Sequence, residues 1–218
     1  MIGTCSIVDV SHNNGAMNFS EAKQDGIAAV IHKATQGVDF VDPMYATNSQ
    51  AILANGLLLG AYHFGDSSDG KAQADFFLET CQPTGNEIMV LDLEENPSGN
   101  SMTLDQAVAF VQEVFQSTGR WPGLYSSAWY LNSLPNACQG SALTNCWLWV
   151  AEWGPEAPGE LPVAWGNWTL WQYTDGTTGS GAVPVNGIGA CDRDSFNGTP
   201  SELQTFWNAG GVLASVAP

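Results

Sequence analysis

The sequence predicts an α/β chain folded as a shortened (β/α) barrel, and three observations carry that reading. From residue 6 to residue 126, segments with strand character alternate with segments of helical spacing. Those strands are continuous apolar runs, as expected of parallel strands buried on both faces, rather than the clean alternation of a half-solvated sheet. Beyond Tyr130, three further strand-like segments are joined by links too rich in Gly and Pro for full helices. A chain of 218 residues is short for a complete barrel of about 250, which fits a contracted second half.

Taken in order, Ser6-Ile7-Val8-Asp9-Val10 is β-rich and runs into the turn-forming Ser11-His12-Asn13-Asn14-Gly15. Asp9 therefore stands near the exit of the first strand. A short helix follows with Ser20 as the expected N-cap, since a hydroxyl there can accept an unsatisfied backbone N–H. Ala28 to Lys33 is a second buried strand that exits into Thr35-Gln36-Gly37. Pro43 opens a helix through Ala54, stopped by Asn55-Gly56. Leu57 to Phe64 is the third strand, Gly70 to Leu78 a helix, and Ile88 to Leu93 the fourth strand. Leu104, Ala107, Val108, Val111 and Phe115 have helical spacing. Gly123 to Ser126 is a fifth strand, and Trp147–Ala151, Thr169–Tyr173 and Ala190–Asp192 supply the remaining three. A final helix lies near residues 201–208. Residues 1–210 are read as one domain and 211–218 as a short tail.

The charge is lopsided, with 22 acids against 5 Lys plus Arg and a formal net charge of −17. Such a chain repels phosphate backbones and is not drawn to anionic membranes, so neither nucleic acid nor membrane is an expected partner. No apolar run reaches the roughly 18 residues of a spanning helix, and no signal peptide is visible at Met1-Ile2-Gly3-Thr4. Cys138 and Cys146 bracket the polar loop 139–145, of a size that a disulfide would close, and that bridge is predicted.

The acids become informative once placed on a barrel, whose active sites gather at the carboxyl ends of the strands. Asp9 ends the first strand, Asp92 and Glu94 the fourth, and Asp192 the eighth. Asp92 and Glu94 share one face by strand alternation, whereas Glu95 turns away. Like charges at one mouth raise the cost of ionising every group, so one acid keeps a proton and another acts as base, nucleophile or electrostatic partner. Glycosidic bond cleavage needs that division. Metal binding is the competing use of clustered acids. His12, His32 and His63 are widely spaced, no H-E-x-x-H occurs, and Asp192–Phe196 lacks the Gly and Glu of a calcium loop. No metal or cofactor is expected. Eight of nine tryptophans lie between Trp121 and Trp171, and such rings stack on sugar faces. Trp147 and Trp149 are better read as core, and Trp153, just past a strand end, as a groove residue.

Asp9-Val10-Ser11, Lys33-Ala34-Thr35-Gln36-Gly37, Gly60-Ala61-Tyr62-His63-Phe64, Asp92-Leu93-Glu94, Trp149-Val150-Ala151, Trp171-Gln172-Tyr173 and Asp192 to Gly198 together resemble the successive motifs of the glycoside hydrolase family 25 lysozymes. The match runs in order over nearly the whole chain. It implies an irregular TIM-like barrel of five β/α units followed by three β-strands, and cleavage of the β-1,4 bond between N-acetylmuramic acid and N-acetylglucosamine in bacterial peptidoglycan. It further implies Glu94 as proton donor and Asp92 as the group that orients the substrate N-acetyl for attack on the anomeric carbon, with a direct nucleophilic role for Asp92 left open. Asp9 and Asp192 match the remaining acidic positions, and Tyr62 lines the pocket. Lys33, Tyr125, Trp153, Gln172 and Asp194 are the other expected substrate-binding residues. Asp194 departs from the pattern, standing where Asn is expected in many relatives. The expectations are a secreted, extracellular monomer, most active at mildly acidic pH. A non-catalytic amino-sugar-binding module and a hydrolase of chitin-like polymers are the alternatives.

Overall fold

The computed structural model describes residues 4–154, 157–179 and 182–212. Residues 213–218 of the expected tail lie outside them. The chain runs β1 (Thr4–Val10), α1 (Phe19–Gln24), β2 (Ala29–Gln36), β3 (Phe40–Val41), α2 (Tyr45–Ala54), β4 (Leu58–Phe64), α3 (Gly70–Cys81), β5 (Ile88–Asp92), α4 (Leu104–Thr118), β6 (Gly123–Ser126), α5 (Ala128–Ser133), β7 (Trp147–Ala151), β8 (Leu170–Thr174), β9 (Asp192–Phe196) and α6 (Pro200–Asn208). The sheet order is β1-β9-β8-β7-β6-β5-β4-β2-β3, and a β1–β2 pairing closes eight of the strands into a barrel. Two-residue β3 is only a flap hydrogen-bonded antiparallel to β2. Five β/α units followed by three strands is the architecture expected from the sequence.

Strand alternation sorts the barrel. Ile7, Ile31, Ile88, Val90, Trp147 and Leu170 point inward and pack together. Val8, Val10 and Val30 face α1 and α2, while Met89, Leu91, Leu124, Leu148 and Val150 lie under α3 and α4. The interior is tight enough to need glycine. A Cβ on Gly60 would lie 2.7 Å from Ile88, and one on Gly123 would lie 2.4 Å from the Trp147 ring. Helix α6 joins the inner cluster through Phe206 and Trp207, and Trp207 Nε1 donates to the Leu59 carbonyl at 2.7 Å. Its start follows from Thr199, Pro200 and Glu202, which form a capping box with proline in the first turn.

Several expectations need correcting. Cys138 and Cys146 are free, so the predicted bridge is not formed. Both side chains are buried in the core outside the barrel wall, where Cys138 Sγ contacts the Leu131 carbonyl at 3.6 Å. Two short 3-10 turns, Pro135–Cys138 and Ala142–Asn145, shape that stretch instead. Helix α1 is capped by Asn18 rather than Ser20. Ser126 ends β6 as expected, and Ser127 caps α5, accepting from the Tyr130 amide. The last strand differs most. Residues 190–192 were expected to form it with Asp192 at its end, but β9 begins at Asp192 and runs antiparallel to both neighbours.

Candidate active site

Alternation that points Ile88 and Val90 into the barrel carries Asp92 inward on the same face, and Glu94 follows two residues later past the end of β5. Leu93 between them is fully buried on the outer side, and Glu95 is exposed. On β1 the same parity brings Asp9 inward above Ile7. Asp192 reaches the same mouth by a different route. Because β9 is antiparallel, its first residue lies level with the last residues of the parallel strands, and Asp9 pairs with Asp192 in register.

These side chains surround a cavity of about 390 Å³ lined by Asp9, Lys33, Tyr62, Phe64, Asp92, Glu94, Tyr125, Trp149, Trp153, Gln172 and Asp192. The expected catalytic set is therefore brought together, with five of the six expected binding residues. Asp194 does not line the cavity. It is wholly buried beneath the floor, where its Oδ1 accepts from Trp149 Nε1 at 2.8 Å. Phe64 and Trp149 were missed. Applying the two-residue period to β4 from Tyr62 identifies Phe64, whereas Trp149 is a core residue, 2% exposed, whose inward ring also forms part of the wall.

Gln172 organises one side of the cleft. Its Nε2 donates to Asp9 Oδ2 at 3.0 Å, and its Oε1 accepts from Tyr125 Oη at 3.0 Å and Trp153 Nε1 at 3.1 Å. Trp153 remains 49% exposed, leaving a broad ring at the rim. On the other side, Lys33 Nζ donates to Gln36 Oε1 at 2.8 Å and lies 4.9 Å from the Phe64 ring centre.

The electrostatics follow from burial of like charges. Burial, then the charge of Glu94, raises Asp92 well above the carboxylate range, although Lys33 opposes this. Glu94 is raised by burial and by Asp192, again against Lys33. Asp9 is raised well above its usual range by burial and by Asp192 and Asp194. Asp192 is pushed up to about 6, mainly by burial. Lys33 is itself lowered by burial, with Asp92, Asp42 and Glu94 resisting. Asp92 Oδ1 is buried without a hydrogen-bond partner among the described residues. The cleft thus gathers carboxyls that all hold their protons more tightly than free ones, a condition that favours general acid catalysis. Among the described residues no His/Cys/Asp/Glu group has the arrangement of a metal site.

The chain is similar to known proteins over most of its length. It is 32% identical over 215 residues to Lysozyme M1 of Streptomyces globisporus, covering 92% of this chain and 70% of that protein. It is 30% identical over 183 residues to the N,O-diacetylmuramidase of Chalaropsis sp., covering 77% of this chain and 86% of that one. Among solved structures, the bacterial lysozyme of Streptomyces coelicolor superposes with a TM-score of 0.80 at 30% identity, over 94% of this chain and 97% of that chain. The sequence model described as "Glycosyl hydrolases family 25" matches residues 8–182, and the chain, with its acid-lined barrel mouth, belongs to that family.

Proposed function

We propose that the protein is a lysozyme that hydrolyses the β-1,4 bond between N-acetylmuramic acid and N-acetylglucosamine in bacterial peptidoglycan. The observation that carries this reading is the pair of inward acids on one strand, Asp92 and Glu94, at a cavity whose environment raises both carboxyls. Glu94 is the general acid. It stands past the strand end at the open mouth, and its raised pKa keeps a proton available for the leaving oxygen. Asp92 is deeper, and its unpartnered Oδ1 suits a polar N–H of the substrate. Accepting from the N-acetyl amide would orient that group's carbonyl toward the anomeric carbon, so that the substrate supplies the nucleophile and configuration is retained. Asp9 and Asp192 complete the anionic mouth that favours an oxocarbenium-like transition state. Trp153 offers a ring face to a sugar, and Tyr125, Gln172 and Lys33 offer polar groups to its substituents.

The acids, the polar groups and the Trp153 ring all come from one barrel, so the reading needs no second copy of the chain and takes residues 1–210 as the catalytic domain. The net charge of −17 speaks against nucleic acid or an anionic membrane as partner, and no helix among the described residues is long and apolar enough to cross a membrane. The substrate lies outside the bacterial membrane, so the reading implies an extracellular site of action.

The test is a peptidoglycan digest with products sorted by reducing sugar, comparing wild type with Glu94→Gln. New reducing muramic acid ends from the wild type, reduced by ~10²- to 10⁴-fold in rate in the variant, are expected for loss of a general acid. Equal release by both proteins would sink the assignment. Binding without release would favour an amino-sugar-binding module, and release from chitin oligomers alone would redirect the substrate.

A further inference from the structure

Asp194 takes no place in the chemistry above, yet it is a wholly buried acid directly beneath it. One oxygen accepts the Trp149 indole N–H. The other, Oδ2, is buried without a hydrogen-bond partner among the described residues. Asp194 stands opposite Ile7 on β1, one inward position below Asp9, so the two buried carboxyls belong to neighbouring strands and each bears on the other; two carboxylates can hydrogen-bond only if one carries a proton. Leaving both charged would bury an unpaired anion beside another.

We propose that Asp194 is a positioning residue that shares one proton with Asp9, so that the singly charged pair holds Gln172, and Gln172 in turn orients Tyr125 and Trp153 along the cleft. Hydrogen bonds run from the Trp149 indole to Asp194 and, on the adjacent strand, from Gln172 to Asp9, with Tyr125 and Trp153 donating to Gln172; the shared proton is the link proposed between the two acids. The neighbouring acids disfavour a second negative charge on the pair, whereas the N–H groups of Gln172 and Trp149 stabilise the charge it keeps. Asp192 on β9, Asp92 on β5, Cys5 on β1, Tyr62 on β4, Tyr125 on β6, Tyr173 on β8, and Cys191 are its titratable neighbours. Lys33, the cation in the cleft, bears instead on Asp92 and Glu94. Asp9 and Asp194 are accordingly both raised, by burial first and by neighbouring carboxylates second. When the shared proton is lost, Asp9 and Asp194 repel, Asp9 shifts, and Gln172 loses its anchor. Substrate binding weakens as a result, as distinct from loss of the Glu94 proton, which removes the acid.

The catalytic consequence rests on the lysozyme reading, but the proton itself can be observed without activity. The experiment follows the side-chain carboxyl carbons of ¹³C-labelled aspartate by NMR across pH, and KM on soluble peptidoglycan fragments across the same range. Asp194→Asn mimics the protonated acid, since its carbonyl accepts from Trp149 while its NH₂ donates to Asp9. In the wild type, Asp9 should show two steps, the upper one accompanied by a rise in KM. In Asp194→Asn, Asp9 should show one step below the wild-type upper one, and the rise in KM that accompanies the upper step should be absent. Asp194→Ala should raise KM by about tenfold with a smaller change in kcat, the scale of one lost charge-assisted hydrogen bond. Asn at the same position should restore it. An Asp9 titration that is the same in wild type and Asp194→Asn overturns the proposal, as does a KM rise at the same pH in both. Absence of hydrolysis would count against the lysozyme reading alone, because the carbon titration decides the pair separately.

Discussion

Lys33 shares the cleft with Asp92 and Glu94, and its charge lowers both carboxyls against the burial that raises them. The sign of its removal follows. Glu94 works as an acid only while protonated, so activity falls as pH rises through its raised pKa. Lys33→Met takes away the opposing cation and raises Glu94 further, so the alkaline limb of kcat should move to higher pH. A limb that moves to lower pH in that variant would contradict the assignment. At the rim, Trp153→Ala removes a half-exposed ring without touching the acids. It should raise KM by about 5- to 10-fold while changing kcat less, the scale of one aromatic contact. Among the site residues, those on the parity of a recognised strand were legible in sequence. Asp194 was assigned to the cleft by the family resemblance, as an acid standing where Asn is expected. Its depth was not legible, since alternation sets the face of a residue and not how far along the barrel axis it lies.

Strand direction is the point at which single residues gave way to elements. Asp192 was expected at a strand's carboxyl end, because active sites of parallel barrels lie there. It reached the mouth instead as the first residue of antiparallel β9. Direction depends on which neighbours pair, and no local propensity encodes that. Close approach between elements is equally nonlocal. Gly123 leaves room for the Trp147 ring on adjacent β7, so Gly123→Ala should cost about 1–3 kcal/mol through overpacking, measured by urea unfolding. By contrast Thr199→Ala removes the α6 capping box and should cost about 1 kcal/mol. Gly123→Ala as stable as wild type would mean that the barrel interior yields more readily than its packing indicates.

Over the whole molecule, buried acids set how stability depends on pH. Asp192, pushed up to about 6, binds its proton more tightly folded than unfolded. Its stabilisation is full below about pH 4 and is lost as pH rises through its folded pKa. Asp9, Asp92, Glu94 and Asp194 act in the same direction. His63, lowered by burial to about 4, and His32, also lowered by burial, act in the opposite direction over part of that range. Five carboxyls outweigh two histidines, so Tm should fall from about pH 4 to 8. Below about pH 4 the slope reverses. Burial works to raise Asp42, but its hydrogen bonds with His12 and Met44 prevail and lower it, so its stabilisation is lost there. A scanning-calorimetry series in which Tm rises from pH 4 to pH 8 would refute this balance. Since none of the five cysteines is in a disulfide, a reductant should leave Tm unchanged.

The five β/α units, the first two of the three closing strands and the shared inward face of Asp92 and Glu94 were readable from the chain alone. These follow from the period of apolar residues and the alternation of a strand, both local properties of the chain. Tertiary structure alone decided the reversal of β9, the free thiols at Cys138 and Cys146, the Trp149 ring in the wall and the burial of Asp194 against Asp9. Each depends on which segments meet across the barrel. Residues 9 and 194, far apart in the chain, can compete for one proton only where closure between β1 and β9 brings them into contact.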